Sequence, residues 1–186
     1  ITGMEERLSQ KAEDDEALLE AAEWTLQSLA TFAGLAQENM MTLNLFFRPK
    51  VAKRALDVGA GLGATARELS KHGIAVTSIS PDTPLIEYAR RAAAADQVPH
   101  PVQFHALGFE DFELTEPYDW VLFQESFQYF PDPRFALTKA YAALRPGGRL
   151  HIGDQFLHVD VPREQGRFHY LPRVLGIAKE LGFHIH

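Results

Sequence analysis

The stretch Ala55-Leu56-Asp57-Val58-Gly59-Ala60-Gly61-Leu62-Gly63 constrains this chain more than any other part of it. A short apolar run ends in an acid. Three glycines follow at alternate positions, and then Ala64-Thr65-Ala66-Arg67-Glu68-Leu69 reads as a helix start. Residues without Cβ permit a tight strand-to-helix turn and let a ligand approach the backbone closely. The helix start offers N–H groups and a positive dipole end, which suit a carboxylate or phosphate. Asp57, just ahead of the turn, would face a cation or a donor. Together they suit a ligand with an anionic and a cationic end. Glycine geometry alone would also account for the turn. The same letters satisfy G-x-G-x-x-A, a dinucleotide pattern, with Ala64 in the third place. An acid two residues before the first glycine fits that pattern poorly, because it would face a pyrophosphate.

Hydrophobic patterning places this turn in a repeating frame. Strands are predicted at 55–58, 74–79, 102–105, 119–124 and 149–156, with helices near 64–72, 83–95, 133–144 and 171–181. Such alternation predicts an α/β fold, a doubly wound and mostly parallel Rossmann-like sheet. Ligands of such sheets bind beyond the carboxyl ends of the strands, where strand order reverses. Two helical stripes precede the sheet, one from about Asp14 to Ala30 and one through Met40 and Leu43 to Phe46-Phe47 before Pro49. They predict an N-terminal helical cap over 1–48 on an α/β domain over 49–186, forming one compact unit. Their apolar faces read as core contacts; a pocket-lining role for Phe46 and Phe47 is implied only by the resemblance given below.

The remaining motifs each follow a predicted strand. After the second comes Ser80-Pro81-Asp82, where Asp82 and Thr83 are also good helix-capping types. After the third comes Gly108-Phe109-Glu110, and Phe109 reads either as a stacking ring or as core. The fourth strand runs Pro117-Tyr118-Asp119-Trp120-Val121-Leu122-Phe123-Gln124-Glu125-Ser126 into Phe127-Gln128-Tyr129-Phe130-Pro131-Asp132-Pro133, and Leu144-Arg145-Pro146-Gly147-Gly148 precedes the fifth. The proline and glycines of that last run read as a turn that ends a helix and launches a strand. In order and spacing, these motifs together with the glycine turn resemble class I S-adenosylmethionine-dependent methyltransferases over roughly residues 50–157, and within them the ubiquinone-biosynthesis-type branch of small-molecule enzymes.

That resemblance implies S-adenosylmethionine as methyl donor and S-adenosylhomocysteine as product. It implies a donor site made of Asp57, Gly59, Ala60, Gly61 and Gly63, then Ser80, Pro81 and Asp82, then Gly108, Phe109 and Glu110, and finally Gln124 and Glu125. In the family an acid usually stands where Ser80 stands, to grip the ribose; Ser80 offers one hydroxyl, and Asp82 could supply the carboxylate. The branch commonly carries Glu-His where this chain has Gln128-Tyr129. Glu125 and Tyr129 are therefore the catalytic candidates, although a phenol with a pKa near 10 is a weak base at neutral pH. His151, His158 and His169 match no metal spacing, so no metal site is expected. The stretch from Phe156 to Tyr170 is a candidate cover, with His158, Asp160, Arg163, Arg167 and Tyr170 as its polar groups. Two rival readings stay open: a non-catalytic donor-binding or interaction module, and an NAD-binding oxidoreductase.

Composition bears on the partner. A formal net charge of −7 without any Lys/Arg-rich run argues against nucleic acid. No cysteine occurs, which removes thiol chemistry and disulfides. No apolar stretch approaches the roughly 18 residues of a membrane span. The expected partner is a small acceptor, apolar or aromatic because Phe127, Tyr129, Phe130 and Phe156 crowd the expected pocket mouth. The expected setting is cytoplasmic, away from membranes. After the last helix, Gly182-Phe183-His184-Ile185-His186 reads as a sixth strand lacking its neighbour. Either the natural chain continues, or parts are omitted, or another chain supplies the strand, which leaves room for a homodimer.

Overall fold

The computed structural model describes residues 53–160 and 168–185. Strands β1 (Arg54–Val58), β2 (Ala75–Ser80), β3 (Val102–Ala106), β4 (Tyr118–Gln124) and β5 (Leu144–Gly153) form one sheet in the order β3-β2-β1-β4-β5. Every neighbouring pair is parallel. Helices α1 (Ala64–Lys71) and α2 (Thr83–Ala95) link β1 to β2 and β2 to β3, α3 (Pro133–Ala143) links β4 to β5, and α4 (Leu171–Glu180) comes last, while β3 runs to β4 without a helix. A single turn of 3-10 helix, Phe127–Tyr129, follows β4, and a short parallel pair, β6 (Phe156–Leu157) with β7 (His169–Tyr170), follows β5. Strand order reverses between β1 and β4, so the crevice for a ligand lies at their carboxyl ends.

Alternation along each strand sorts the core into two halves. Leu56, Val58, Ile79, Val121 and Phe123 pack with Ala136, Leu137 and Ala140 of α3 and Val174 and Ile177 of α4. Ala55, Val76, Phe104, Trp120 and Leu122 pack with Ala66 and Leu69 of α1 and Ile86 and Ala89 of α2. Because both faces are covered, the central strands read as nearly continuous apolar runs. Each fully buried large side chain, such as Leu56, Leu69 or Phe123, contributes roughly 1.5–3 kcal/mol by leaving water.

Local chemistry sets the element ends. Asp82 caps α2, its Oδ1 accepting the Leu85 N–H at 3.1 Å, and Asp132 caps α3, its Oδ1 accepting the Arg134 N–H at 2.9 Å. In both helices a proline in the first turn occupies a place where a missing N–H costs nothing. At the amino end of the strands Asp119 gathers three segments. Its Oδ2 accepts the N–H groups of Lys53 at 2.7 Å and Arg54 at 2.8 Å, and its Oδ1 lies 2.5 Å from Arg145 Nε.

Three expectations are corrected. Residues 145–148 are not a turn ahead of the fifth strand but a bulge inside it. Tyr118 pairs with Leu144 and Trp120 with Arg149, so β5 begins at Leu144 and Gly147 carries the bend at φ +78°. The strand then ends at Gly153 rather than 156, and Phe156–Leu157 pairs with β7 instead. Finally, residues 182–185 form no strand. Gly182 turns left-handed at φ +94°, the Phe183 N–H bonds the Ala178 carbonyl, and the Phe183 ring meets Tyr141 edge-on. The helical cap over 1–48, with Phe46 and Phe47, lies outside the described residues, as do Arg163 and Arg167.

Candidate functional site

The crevice is built around the end of β1. Asp57 is 1% exposed and is held by a 2.7 Å hydrogen bond from the Ser78 hydroxyl to its Oδ2, since β1 and β2 set these two residues side by side. Its Oδ1 is buried with no hydrogen-bond partner among the described residues. Burial is the larger influence on this carboxyl and pushes its pKa up to about 6, while the Ser78 bond pulls the other way. An orphaned acceptor of this kind is costly unless something donates to it or neutralises it. It is the feature expected of a socket for a cationic group.

The three glycines of the turn have separate jobs. At Gly59, φ +98°, an added Cβ would overlap the Ser126 side chain, with Ser126 Oγ at 2.8 Å. At Gly63, φ +73°, it would meet Ala89 Cβ at 2.8 Å and the Phe104 ring at 3.0 Å. Gly61, φ +48°, faces nothing within 4 Å among the described residues. The first and last are thus required by protein packing, and the middle one borders open space. The N–H groups of Gly59 and Ala60 are both taken by the Ile79 carbonyl at 2.9 Å. An anion would therefore be met by the first amides of α1, which have no carbonyl four residues back.

The other predicted residues gather round this turn. Ser80 ends β2, is buried, and accepts the Asp82 N–H at 3.3 Å. Asp82 and Pro81 are exposed beside it, and Asp82 spends one oxygen on the cap. Gly108 to Glu110 follow β3, and Glu110 folds its carboxylate over Gly108, 2.8 Å from where a Cβ would stand. Gln124 ends β4 on the Asp57 face; its Oε1 is buried without a hydrogen-bond partner among the described residues and lies against Gly153. Glu125 follows in the left-handed region at φ +52°, uncommon for a residue with a side chain and worth roughly 1–3 kcal/mol of strain. Its N–H bonds the Gly153 carbonyl at 2.7 Å, which helps hold that conformation.

Two roles assigned to rings are corrected. Phe109 is 2% exposed and meets Phe123 and Phe130 edge-on at 5.8 and 6.0 Å, so its side chain is core and not a stacking platform. Phe127 and Phe130 belong to the same buried cluster, and Phe156 packs against Phe127 at 6.4 Å. Of the four expected mouth aromatics only Tyr129 stands out, 67% exposed at the tip of the 3-10 turn. Two residues of the site went unsingled in the sequence, Ser78 and Ser126. Ser78 was legible from the strand register, since it faces Asp57. Ser126 was not, because its hydroxyl donates to the Val58 carbonyl across two strands far apart in the chain.

A cleft of about 630 Å³ lies elsewhere, between α3 and α4, where Arg134 pairs with Glu180 and Arg173 with Asp160. It does not reach the glycine turn. Among the described residues no helix is long and apolar enough to cross a membrane.

Comparison with known proteins agrees with this geometry. The methyltransferase domain family matches residues 56–152, just over half of the chain. The tRNA 5-carboxymethoxyuridine methyltransferase of Escherichia coli K12 is 34% identical over 101 residues, 53% of this chain and 39% of that protein. A ubiquinone biosynthesis O-methyltransferase of Coxiella burnetii is 30% identical over 102 residues, again 53% of this chain and 42% of the relative. This chain thus spans about two fifths of the length of these relatives. Phosphoethanolamine N-methyltransferase 2 of Haemonchus contortus, solved with S-adenosyl-L-methionine, superposes with a TM-score of 0.68 at 25% identity over 79% of this chain and 36% of its own. The acid-then-glycines turn at the reversal of a parallel sheet, matched across its whole motif-bearing segment, makes this chain a member of the methyltransferase domain family, the class I S-adenosylmethionine-dependent methyltransferases.

Proposed function

We propose that this chain transfers a methyl group from S-adenosylmethionine to a small acceptor. The observation that carries the reading is the buried, unpartnered Oδ1 of Asp57 beside the open backbone of Gly61. The donor's amino-acid end is a zwitterion, and Asp57 would take its ammonium while the first amides of α1 take its carboxylate. Ser80, with Asp82 beside it, would meet the ribose. The backbone of residues 108–110 would meet the adenine edge, a role that does not need the Phe109 ring exposed. When bound, the donor supplies a methyl group on an electron-poor sulfonium.

What the chain contributes is position. Holding donor and acceptor in line near van der Waals contact supplies much of the acceleration, and excluding water protects the sulfonium. Glu125 leaves β4 beside the socket and Tyr129 projects from the following turn, so these two side chains are the candidates for orienting the acceptor and accepting its proton. Neither needs to be a strong base if the acceptor is already nucleophilic.

Acceptor class is the finer part of the proposal. A net charge of −7 and the ubiquinone-type relative favour a small molecule. The expectation that nucleic acid is no partner finds no support among relatives, one of which is a tRNA methyltransferase. The apolar character expected of the acceptor loses most of its basis with Phe127 and Phe130 in the core. Titration with S-adenosylmethionine and separately with NAD tests the donor: binding of NAD alone would reject the site. Radiolabelled methyl transfer to small-metabolite, tRNA and protein fractions tests the acceptor. Label in tRNA only would overturn the small-molecule reading while leaving the donor site standing.

A further inference from the structure

The turn that carries Glu125 and Tyr129 is tied to the ends of β1 and β5 by three hydrogen bonds, and the third comes from a residue with no place in the reading above. Ser126 Oγ bonds the Val58 carbonyl at the end of β1. The Glu125 N–H bonds the Gly153 carbonyl at the end of β5. One residue beyond, Asp154 Oδ2 accepts the N–H of Gln128 at 2.9 Å, and its Oδ1 accepts the N–H of Gln155 at 2.8 Å. Both oxygens of one carboxylate are thereby used, one on each of two chain segments that leave neighbouring strands. Gln128 is 4% exposed, and its side chain reaches back to the Glu125 carbonyl at 3.4 Å. Tyr129, the next residue, is exposed. Moving Gln128 would therefore move both candidates at once.

We infer that Asp154 is a positioning residue for methyl transfer: through the Gln128 amide it clamps the β4 exit turn to the end of β5 and so sets where Glu125 and Tyr129 stand. A carboxylate accepting backbone N–H groups makes the stronger, charge-assisted kind of hydrogen bond. The position also explains a boundary. Asp154 ends the β5 ladder because its side chain, rather than a neighbouring strand, engages the next N–H. The left-handed Glu125 needs such support, since a strained conformation persists only where its surroundings over-determine it. The clamp rests on the methyl-transfer reading for its consequence, but not for its existence.

Asp154→Ala and Asp154→Asn separate these levels. Asparagine keeps one acceptor oxygen for Gln128, and alanine keeps none. In hydrogen exchange, the Gln128 amide should exchange at least 10-fold faster in the alanine variant and close to the parent rate in the asparagine variant. S-adenosylmethionine affinity should stay within 2-fold in both. Methyl incorporation into the fraction that the parent labels should fall at least 10-fold in the alanine variant and recover partly in the asparagine variant. Unchanged exchange at Gln128 overturns the clamp outright. Unchanged incorporation, or a loss of donor affinity that matches the loss of turnover, overturns the positioning role. A parent protein that binds no S-adenosylmethionine sinks the proposed function instead, and the exchange measurement still decides the clamp.

Discussion

Asp57 is a carboxyl placed where its charge is costly, and this shapes what acidity should do. With an unfolded value of 3.8 and a folded value of about 6, the folded state binds its proton more tightly. The stability associated with this group is therefore fully present below pH 3.8 and is lost as pH rises through about 6. The difference amounts to about 3 kcal/mol at neutral pH. A cation can use only the ionised form. Affinity for S-adenosylmethionine should accordingly rise between pH 5 and pH 7 and level off above. Asp57→Asn should remove that pH dependence, weaken binding by about tenfold or more, and raise the melting temperature of the unliganded protein at pH 7. Calorimetric titration across pH, paired with thermal melts, checks both halves, and weakened binding without stabilisation would show the carboxylate to be structural. The neighbouring glycines make a sharper contrast. Gly59→Ala collides with Ser126 and should cost over about 2 kcal/mol of stability, whereas Gly61→Ala meets no atom of the described residues and should cost about 1 kcal/mol, the strain of its positive φ. If Gly61 borders the donor, the milder substitution should still weaken donor binding. Melts and titrations of the two variants side by side check this.

At the scale of elements, the two ends of the sheet do different work. At the amino end, Asp119 binds the entry to β1 through two backbone amides and the bulge of β5 through Arg145. Hydrogen bonds to a buried charge are worth about 1.5–3 kcal/mol each and do not add fully. Asp119→Ala should destabilise the protein by about 2–4 kcal/mol while leaving donor affinity unchanged below the melting transition, because it lies at the opposite end from the socket. Denaturant melts with a parallel titration check it, and weakened binding in the folded variant would show that the two ends are coupled. At the carboxyl end, strand exits are joined by contacts such as Gly59 and Ala60 to Ile79 and Ser126 to Val58.

For the molecule as a whole, ligand binding and folding share one free energy. A ligand at a hundred times its dissociation constant stabilises by about 2.7 kcal/mol. In a chain of this size that is about 5–10 °C in melting temperature. S-adenosylmethionine, and S-adenosylhomocysteine at equal saturation, should produce such a shift and NAD should not. Scanning fluorimetry with the three ligands checks it. A shift with NAD alone would place this turn with the dinucleotide binders, the pattern that Gly59, Gly61 and Ala64 also satisfy.

Much of this protein was legible from local pattern. Periodicity located β1 to β4 and the four helices to within a residue or so, though it misplaced both ends of β5, because a strand buried on both faces and an amphipathic helix leave different spacings of apolar residues. The acid-then-glycines order located the tight turn at the end of β1, because a residue without Cβ takes a positive φ at the least cost. Tertiary structure decided what depends on distant partners. Phe127 and Phe130 had the composition of a pocket mouth and Phe109 read as a stacking ring or as core; all three became core, because their neighbours come from β4, α3 and α4. Residues 145–148 had turn chemistry and became a bulge, because Asp119 on another strand holds Arg145. Residues 182–185 had strand composition but fold back on α3, where the Phe183 ring finds Tyr141. Asp154 gave no signal at all as a lone acid, since its role exists only once β4 and β5 lie side by side. Spacing along a chain reports which face a side chain takes, and the identity of its partner is settled only when the strands assemble.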